Sequence, residues 1–332
     1  MSIRLILAFL LALLFSTAFG KYYIPWLRKQ KAGQEIREDG PTWHRSKSGT
    51  PTMGGIIFIL ATALGILTVG FEGMLKGNYV HLSVFLFALV FGGIGFLDDW
   101  EKLKKKQNLG LTAKSKFLLQ MAAALLFVML MEHFNIISTQ VYVPFFNVVL
   151  HVNRWLYFVL SAFIIVGTVN AVNITDGIDG LATGSSIPVF LFFVAVTYLA
   201  GEEYLQLGIF ASSLLGGLVG FLFYNFNPAK VFMGDTGSLF LGGALAALAF
   251  AYDMPLILIT LGIVYIIENQ AYWRKANQIH HWFVQNVQGG NDDCKPYEVL
   301  GEKLLELVDL CKKAAIKPRK NAQGQIGRAS CR

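Results

Sequence analysis

Histidine, cysteine and charge are what this sequence has little of. It contains six histidines, and its three cysteines, Cys294, Cys311 and Cys331, all lie beyond residue 268 at spacings that fit neither a zinc site nor a disulfide framework. Thiol chemistry and soft-ligand metal sites are therefore excluded as the basis of function. Only 15% of residues are charged, against about 25% in an ordinary soluble domain. That shortage excludes a disordered, fibrous or simple soluble chain. The first apolar run has the length of a signal peptide, but no small-residue cleavage site precedes a soluble mature domain, so that run is read as an anchor.

What the sequence has in abundance is apolar length. Hydrophobic residues make up 55% of the chain, and the mean hydropathy is +0.53. Apolar runs span roughly Leu5–Phe19, Gly54–Val69, Leu82–Leu97, Phe117–Met131, Leu156–Val169, Ser186–Leu199, Tyr204–Phe223, Ser238–Ala251 and Pro255–Ile267. They predict an all-α, polytopic membrane bundle of about nine transmembrane helices, several extending into the neighbouring loops to reach the roughly 20 residues that cross a bilayer. The net charge of +7 comes from loop lysines and arginines beside apolar runs. Orientation and lipid headgroups account for them, and nucleic acid is excluded as a partner.

Lysine and arginine counts set the expected topology. The loop from Lys21 to Thr52 carries seven and the loop from Asp98 to Lys116 six, while the alternate loops hold little beyond Lys76 and Arg154. The positive-inside rule then puts the N-terminus outside and the loops around residues 21–52, 98–116, 170–185 and 224–237 in the cytoplasm. Between Asn135 and Asn153 the Val-Tyr-Val-Pro-Phe-Phe-Asn-Val-Val alternation predicts a short hairpin on the outer, periplasmic face.

The polar motifs fall in those four cytoplasmic loops. Asp98 and Asp99 end an apolar run at the membrane edge, where carboxylates need a partner, water or a metal. Adjacent helical residues point about 100° apart, so the two are expected to serve separate roles rather than chelate one ion as a simple pair. Asn170, Asn173, Asp176 and Asp179 recur every three residues, which on a helix would stack amides and carboxylates along one face. Such a row suits a divalent cation, a sugar, or both. Asp235 sits between Gly234 and Gly237 ahead of an apolar helix, and is open to a second reading as a helix cap. The basic loop from His44 to Gly55, with Lys47 and Thr52, is able to hold phosphate before a helix N-terminus, though without P-loop spacing. The lysines at Lys102–Lys106, Lys114 and Lys116 are for the most part read as a headgroup patch. Hard oxygen ligands favour Mg2+ or Mn2+ over zinc. Carboxylate-held magnesium with lysines is a phosphoryl-transfer toolkit, and at a membrane edge one substrate is a candidate lipid phosphate.

These residues resemble a known family. The Asp-Asp pair, Asn-Ala-Val-Asn-Ile-Thr-Asp-Gly-Ile-Asp-Gly-Leu and Val-Phe-Met-Gly-Asp-Thr-Gly-Ser resemble signatures of the polyprenyl-phosphate N-acetylhexosamine-1-phosphate transferases. Lys47 to Gly55 and Asn108-Leu-Gly-Leu-Thr-Ala-Lys114 look like features of the phospho-N-acetylmuramoyl-pentapeptide transferase branch. The resemblance implies a Mg2+-dependent transfer from UDP-N-acetylmuramoyl-pentapeptide to undecaprenyl phosphate, giving lipid I and UMP, in the bacterial inner membrane. By position it implies Asp235 and Asp176 at the metal, Asp98 as base on the lipid phosphate, and Asp99 assisting metal or diphosphate, with Asp98, Asp99 and Asp235 the catalytic set. Lys47, Thr52, Asn170, Asn173, Asp179, Asn225 and Phe232 would hold the nucleotide-sugar, with Phe232 on uracil, while Lys102, Lys106 and Lys114 draw in phosphates. Membrane lipids are further partners, and a homodimer is left open. A sister transferase for another UDP-N-acetylhexosamine is the main alternative; an ion-coupled transporter is a second, from a different class.

The resemblance covers residues 1–268, read as one catalytic membrane domain. The final helix of the ten the family implies, and its three-histidine motif, do not follow; His280 and His281 lack that context. Residues 269–332 read as a polar, soluble tail with an amphipathic stretch near Tyr297–Lys313. Gln325–Arg332 back-translates as CAG ATC GGA AGA GCG TCG TGT AGG, which resembles a sequencing-adaptor sequence, so the tail is expected to be chimeric.

Overall fold

A computed structural model describes residues 1–30, 49–105, 110–143, 148–261 and 265. Its helices are α1 (Ser2–Lys29), α2 (Gly55–Val69), the short α3 (Phe71–Leu75), α4 (Val80–Lys105), α5 (Ala113–His133), α6 (Arg154–Thr175), α7 (Leu181–Ala200), α8 (Leu205–Asn225) and α9 (Gly234–Ala251). Seven of them are long and apolar enough to cross a membrane; α2, at 15 residues, is the shorter exception. The ninth apolar run is helical over residues 257–261, and of its continuation only Tyr265 is among the described residues. Several helices outrun the apolar stretches that announce them. α4, for example, continues through Lys102, Lys104 and Lys105 in its last turn, where cations favour the negative end of the helix dipole.

The expected hairpin is present. β1 (Gln140–Val143) pairs antiparallel with β2 (Val148–His151), in the register Gln140 to His151. It joins the end of α5 to the start of α6, at the end of the bundle opposite Asp98.

α9 is the hub and is almost wholly enclosed, with α4, α6 and α2 packed around it. Its run Gly-Gly-Ala-Leu-Ala-Ala explains this, because small residues let helix backbones approach where hydrocarbon outside gives no hydrophobic drive for association. Phe58, Phe85, Phe91 and Phe240 fill the space that remains and are buried. Outward-facing leucines and phenylalanines on α1, α5 and α7 stay exposed, as they should on a surface bathed in lipid.

One expectation needs correcting. The three-residue amide and carboxylate row does not run along one helical face, because α6 ends at Thr175. Gly180 adopts φ +73°, a left-handed turn open to glycine at little cost, and the chain reverses there. Asn170 and Asn173 stay on the helix, while Asp176 ends it and Asp179 lies in the following turn.

Candidate active site

The C-terminal end of α4, the first turns of α5 and α9, and the end of α6 converge on one carboxylate cluster. Asp98 and Asp99 are each only 3% exposed. Oxygens of Asp98, Asp99 and Asp235 lie within 4.8 Å of one another, the one group of three candidate metal-ligating side chains gathered so closely among the described residues. As adjacent helical positions require, the two α4 aspartates have different partners. The Asp98 Oδ1 accepts from the Leu111 backbone N–H at 2.9 Å, fixing the entry to α5. Asp99 reaches α9, accepting from the backbone N–H groups of Asp235 (3.2 Å) and Thr236 (2.9 Å) and from the Thr236 hydroxyl (2.7 Å).

Asp99 is thus the N-terminal cap of α9, supplied by another helix; α9's own flanking residue, Met233, provides no side-chain cap. Asp235 is no cap either, and its carboxylate faces the cluster. Lys102 Nζ lies 2.6 Å from Asp98 Oδ2, 2.9 Å from Asp235 Oδ2 and 4.0 Å from Asp99 Oδ1. Lys116 Nζ donates to the same Asp235 Oδ2 at 2.8 Å. Asn173 Nδ2 donates to Asp235 Oδ1 (2.8 Å) and to Ser238 Oγ (2.7 Å). Three carboxylates against two ammoniums leave the cluster negative. Asp176 stands nearby: burial above all, then the charges of Asp235, Asp99 and Asp179, pushes its carboxyl well above the usual range.

The other expected residues divide into those at the cluster and those that shape its surroundings. Thr52 is buried against Gly234, which has φ +72° and where a Cβ would stand 2.7 Å from the Thr52 hydroxyl. Around them Phe232 N–H donates to the Pro51 carbonyl at 2.9 Å and Gly54 N–H to the Phe232 carbonyl at 2.8 Å, stitching the entry of α2 to that of α9. The Phe232 side chain is part-exposed. Asn170 lies one turn deeper than Asn173, its amide on Gln120 Oε1 (2.7 Å) and the Val166 carbonyl (2.8 Å). Asn225 is buried, accepting from Thr183 (2.7 Å) and donating to the Val231 carbonyl (3.0 Å), so it braces the loop that leads to α9. Asp179 pins the same loop through the Asn227 amide (3.2 Å) and the Ala229 N–H (3.1 Å). Lys114 is exposed, away from the cluster. Lys47 and Lys106 lie outside the described residues.

Lys116 is the site residue that sequence reasoning left in the headgroup patch. Two positions along a helix point about 200° apart, so Lys114 and Lys116 cannot share a face. The signal was available: Thr112 accepts from Ser115 N–H and starts α5, which places Lys116 one turn before the fully buried Gln120.

Chains of known kind are similar in sequence across this region. The profile described as glycosyl transferase family 4 matches residues 81–253, which include every member of the cluster. A phospho-N-acetylmuramoyl-pentapeptide-transferase signature matches residues 47–59, the loop and first turn that enter beside Gly234. The chain is similar to the phospho-N-acetylmuramoyl-pentapeptide-transferase of Caldanaerobacter subterraneus, 46% identical over 80% of this chain and 81% of the relative. It is also similar to that of Listeria welshimeri, at 41% over 79% and 83%, and that of Staphylococcus aureus, at 44% over 78% and 80%. With the acidic cluster, the signature loop and relatives matched over four fifths of their length, the chain belongs to the phospho-N-acetylmuramoyl-pentapeptide-transferase family.

Proposed function

We propose that residues 1–268 form the catalytic domain and that the carboxylate cluster carries out the transfer for which the family is named. Phospho-N-acetylmuramoyl-pentapeptide passes from UDP-N-acetylmuramoyl-pentapeptide to undecaprenyl phosphate, releasing UMP and leaving lipid I, at the cytoplasmic face of the bacterial inner membrane. The observation that carries this reading is Asp235, a buried-edge carboxylate on which Lys102, Lys116 and Asn173 converge beside Asp98 and Asp99. The Lys102 and Lys116 ammoniums attract phosphates and a cation on the carboxylates would offset the negative balance; holding and orienting phosphates is most of what phosphoryl transfer asks of a protein. Carboxylates gathered at helix ends, away from mid-membrane, support a surface reaction over an ion-coupled transporter.

A lipid phosphate is already a nucleophile at neutral pH, so direct attack is favoured. Its oxygen bonds to the sugar-linked phosphorus as the bond from that phosphorus to the UMP oxygen breaks, and UMP departs with the electron pair. Asp98 is placed to take any proton still on the lipid phosphate. Lys102 and Lys116 are the ammoniums nearest the developing charge, and Asn173 holds Asp235 in place. Lys47, Thr52, Asp179, Asn225 and Phe232 are assigned to the nucleotide-sugar side, Asn225 and Asp179 by shaping the loop that carries Phe232.

The donor set fits a magnesium ion: all-oxygen, carboxylate-rich and already gathered around one cation, the Lys102 ammonium. Asp235 and Asp176, with Asp98 adjacent, would hold it. Bound there, Mg2+ would neutralise diphosphate charge and stabilise the leaving group. Transfer, measured as UMP release from the nucleotide-sugar in the presence of undecaprenyl phosphate, is expected to stop with EDTA. Mg2+ or Mn2+ should restore it, while residual activity in EDTA would remove the metal from the reading.

A paired substitution tests the inward lysine. Lys116→Met is expected to lower kcat by about a hundredfold, the scale of one lost charge-stabilising donor. Lys114→Met should stay within about threefold, since an exposed lysine contributes little. Equal effects would remove Lys116 from the site.

A further inference from the structure

Of the helices that bring a side chain into the cluster, α5 is the least enclosed. Its buried positions, Gln120, Ala124, Phe127, Val128 and Met131, form one stripe at helical spacing, and Gln120 is the only polar member. Among the described residues two side-chain bonds tie α5 to α6. At the hairpin end Arg154 pairs with Glu132 at 2.8 Å, with the arginine largely exposed. At the cluster end Asn170 Nδ2 donates to Gln120 Oε1 at 2.7 Å, and Gln120 is fully buried. Between them the stripe is apolar, and in hydrocarbon apolar packing does little to select one register, whereas a hydrogen bond between helices does. Register matters here because Lys116 lies one turn before Gln120 on the same side of α5, and its ammonium donates to Asp235 at 2.8 Å.

Both partners are committed to this bond. An asparagine amide carries two N–H donors, and those of Asn170 are taken by Gln120 and by the Val166 carbonyl at 2.8 Å. Donation from Asn170 to the nucleotide-sugar, the role the sequence resemblance implies, requires breaking one of them. Gln120 makes no other side-chain bond among the described residues, its Nε2 standing without a partner. One turn toward the cluster, Asn173 makes the corresponding reach to α9, through Asp235 at 2.8 Å and Ser238 at 2.7 Å. Two amides on successive turns of α6 therefore place the two ends of one ion pair, Lys116 from α5 and Asp235 from α9. We infer that Gln120 is a positioning residue for the transfer: through Asn170 it fixes α5 against α6, and so the reach of Lys116 to Asp235. Its effect on rate rests on the transferase reading.

Two measurements on the full chain in detergent test this. Gln120→Leu is expected to lower kcat about thirtyfold with KM for both substrates little changed, the scale of an ångström's misplacement of a reacting group. Gln120→Met, an unbranched apolar replacement, should do the same, which covers a leucine that packs badly. Asn170→Leu and the double variant should fall to the same level as Gln120→Leu, since each removes the one shared bond. In a Lys116→Met background Gln120→Leu should cost no more than about twofold, because the group it places is gone; a merely structural glutamine would cost the same in both backgrounds. Limited acetylation of lysines by N-hydroxysuccinimide acetate, read by peptide mass spectrometry, needs no turnover. Lys116 should be protected relative to the exposed Lys114 in the unsubstituted chain and lose that protection in Gln120→Leu, with Lys114 unchanged. Rate losses that add, a raised KM for the nucleotide-sugar with unchanged kcat in Asn170→Leu, or a Lys116 still protected in Gln120→Leu would overturn the positioning role. An unsubstituted chain that releases no UMP would instead overturn the transferase reading, and the acetylation result would still decide whether Gln120 places Lys116.

Discussion

Asp235→Asn is expected to lower kcat/KM by about a thousandfold or more while the protein stays folded. Asparagine keeps the shape and can still accept a hydrogen bond from Asn173, so little packing changes. What disappears is the charge that holds Lys102 at 2.9 Å and Lys116 at 2.8 Å, and with it the oxygen best placed for a metal. Effects of that size follow when a preorganised charged group at a reacting centre is removed. Folding should be spared because Asp99, not Asp235, caps α9. UMP release gives the rate and thermal unfolding followed by tryptophan fluorescence gives the stability. Activity within tenfold of the parent chain would sink the assignment of Asp235.

Gly95→Ala should damage both stability and activity, although it adds one methyl group. Gly95 lies one turn before Asp99, where α4 crosses the first turn of α9. A Cβ there would collide with the Asp235 carbonyl and stand 2.7 Å from the Thr236 nitrogen. Both neighbours are backbone, so the helices must part. Overpacking of this kind costs about 1–3 kcal/mol, and displacing reacting groups by an ångström costs about a hundredfold in rate. Gly167→Ala on α6 is the control, since its Cβ would meet nothing within 4 Å. It should gain slightly from the better helix propensity of alanine. If Gly95→Ala and Gly167→Ala behave alike, the close crossing of α4 and α9 does not matter.

Much of this was legible in the sequence. Apolar runs announce membrane helices because the hydrocarbon thickness sets a minimum length, and the hairpin shows in its alternation. The acidic and amide motifs stand out because such groups are expensive at a membrane edge. Less accessible was anything depending on where a helix stops. The Asn170, Asn173, Asp176, Asp179 spacing is the same whether α6 continues or ends at Thr175, and it is that end, between Asn173 and Asp176, that divides the row. Choosing Lys116 over Lys114 required the start of α5, which the Thr112 cap sets. Asp99 as the cap of α9 was beyond any local reading, since donor and acceptor are separated by more than a hundred residues.

That separation also orders events in time. At the roughly 5–20 residues per second of protein synthesis, the backbone N–H of Thr236 emerges about 7–27 s after Asp99. Throughout that interval α4 sits in the membrane with two carboxylates at its end and no α9 to receive them. Lys102, one turn on, is a partner Asp98 can reach within its own helix at 2.6 Å, whereas Asp99 must keep water until α9 arrives. The acidic end of α4 is thereby held at the membrane surface as the chain is made, and the last hydrogen bonds of the cluster close only when α9 inserts.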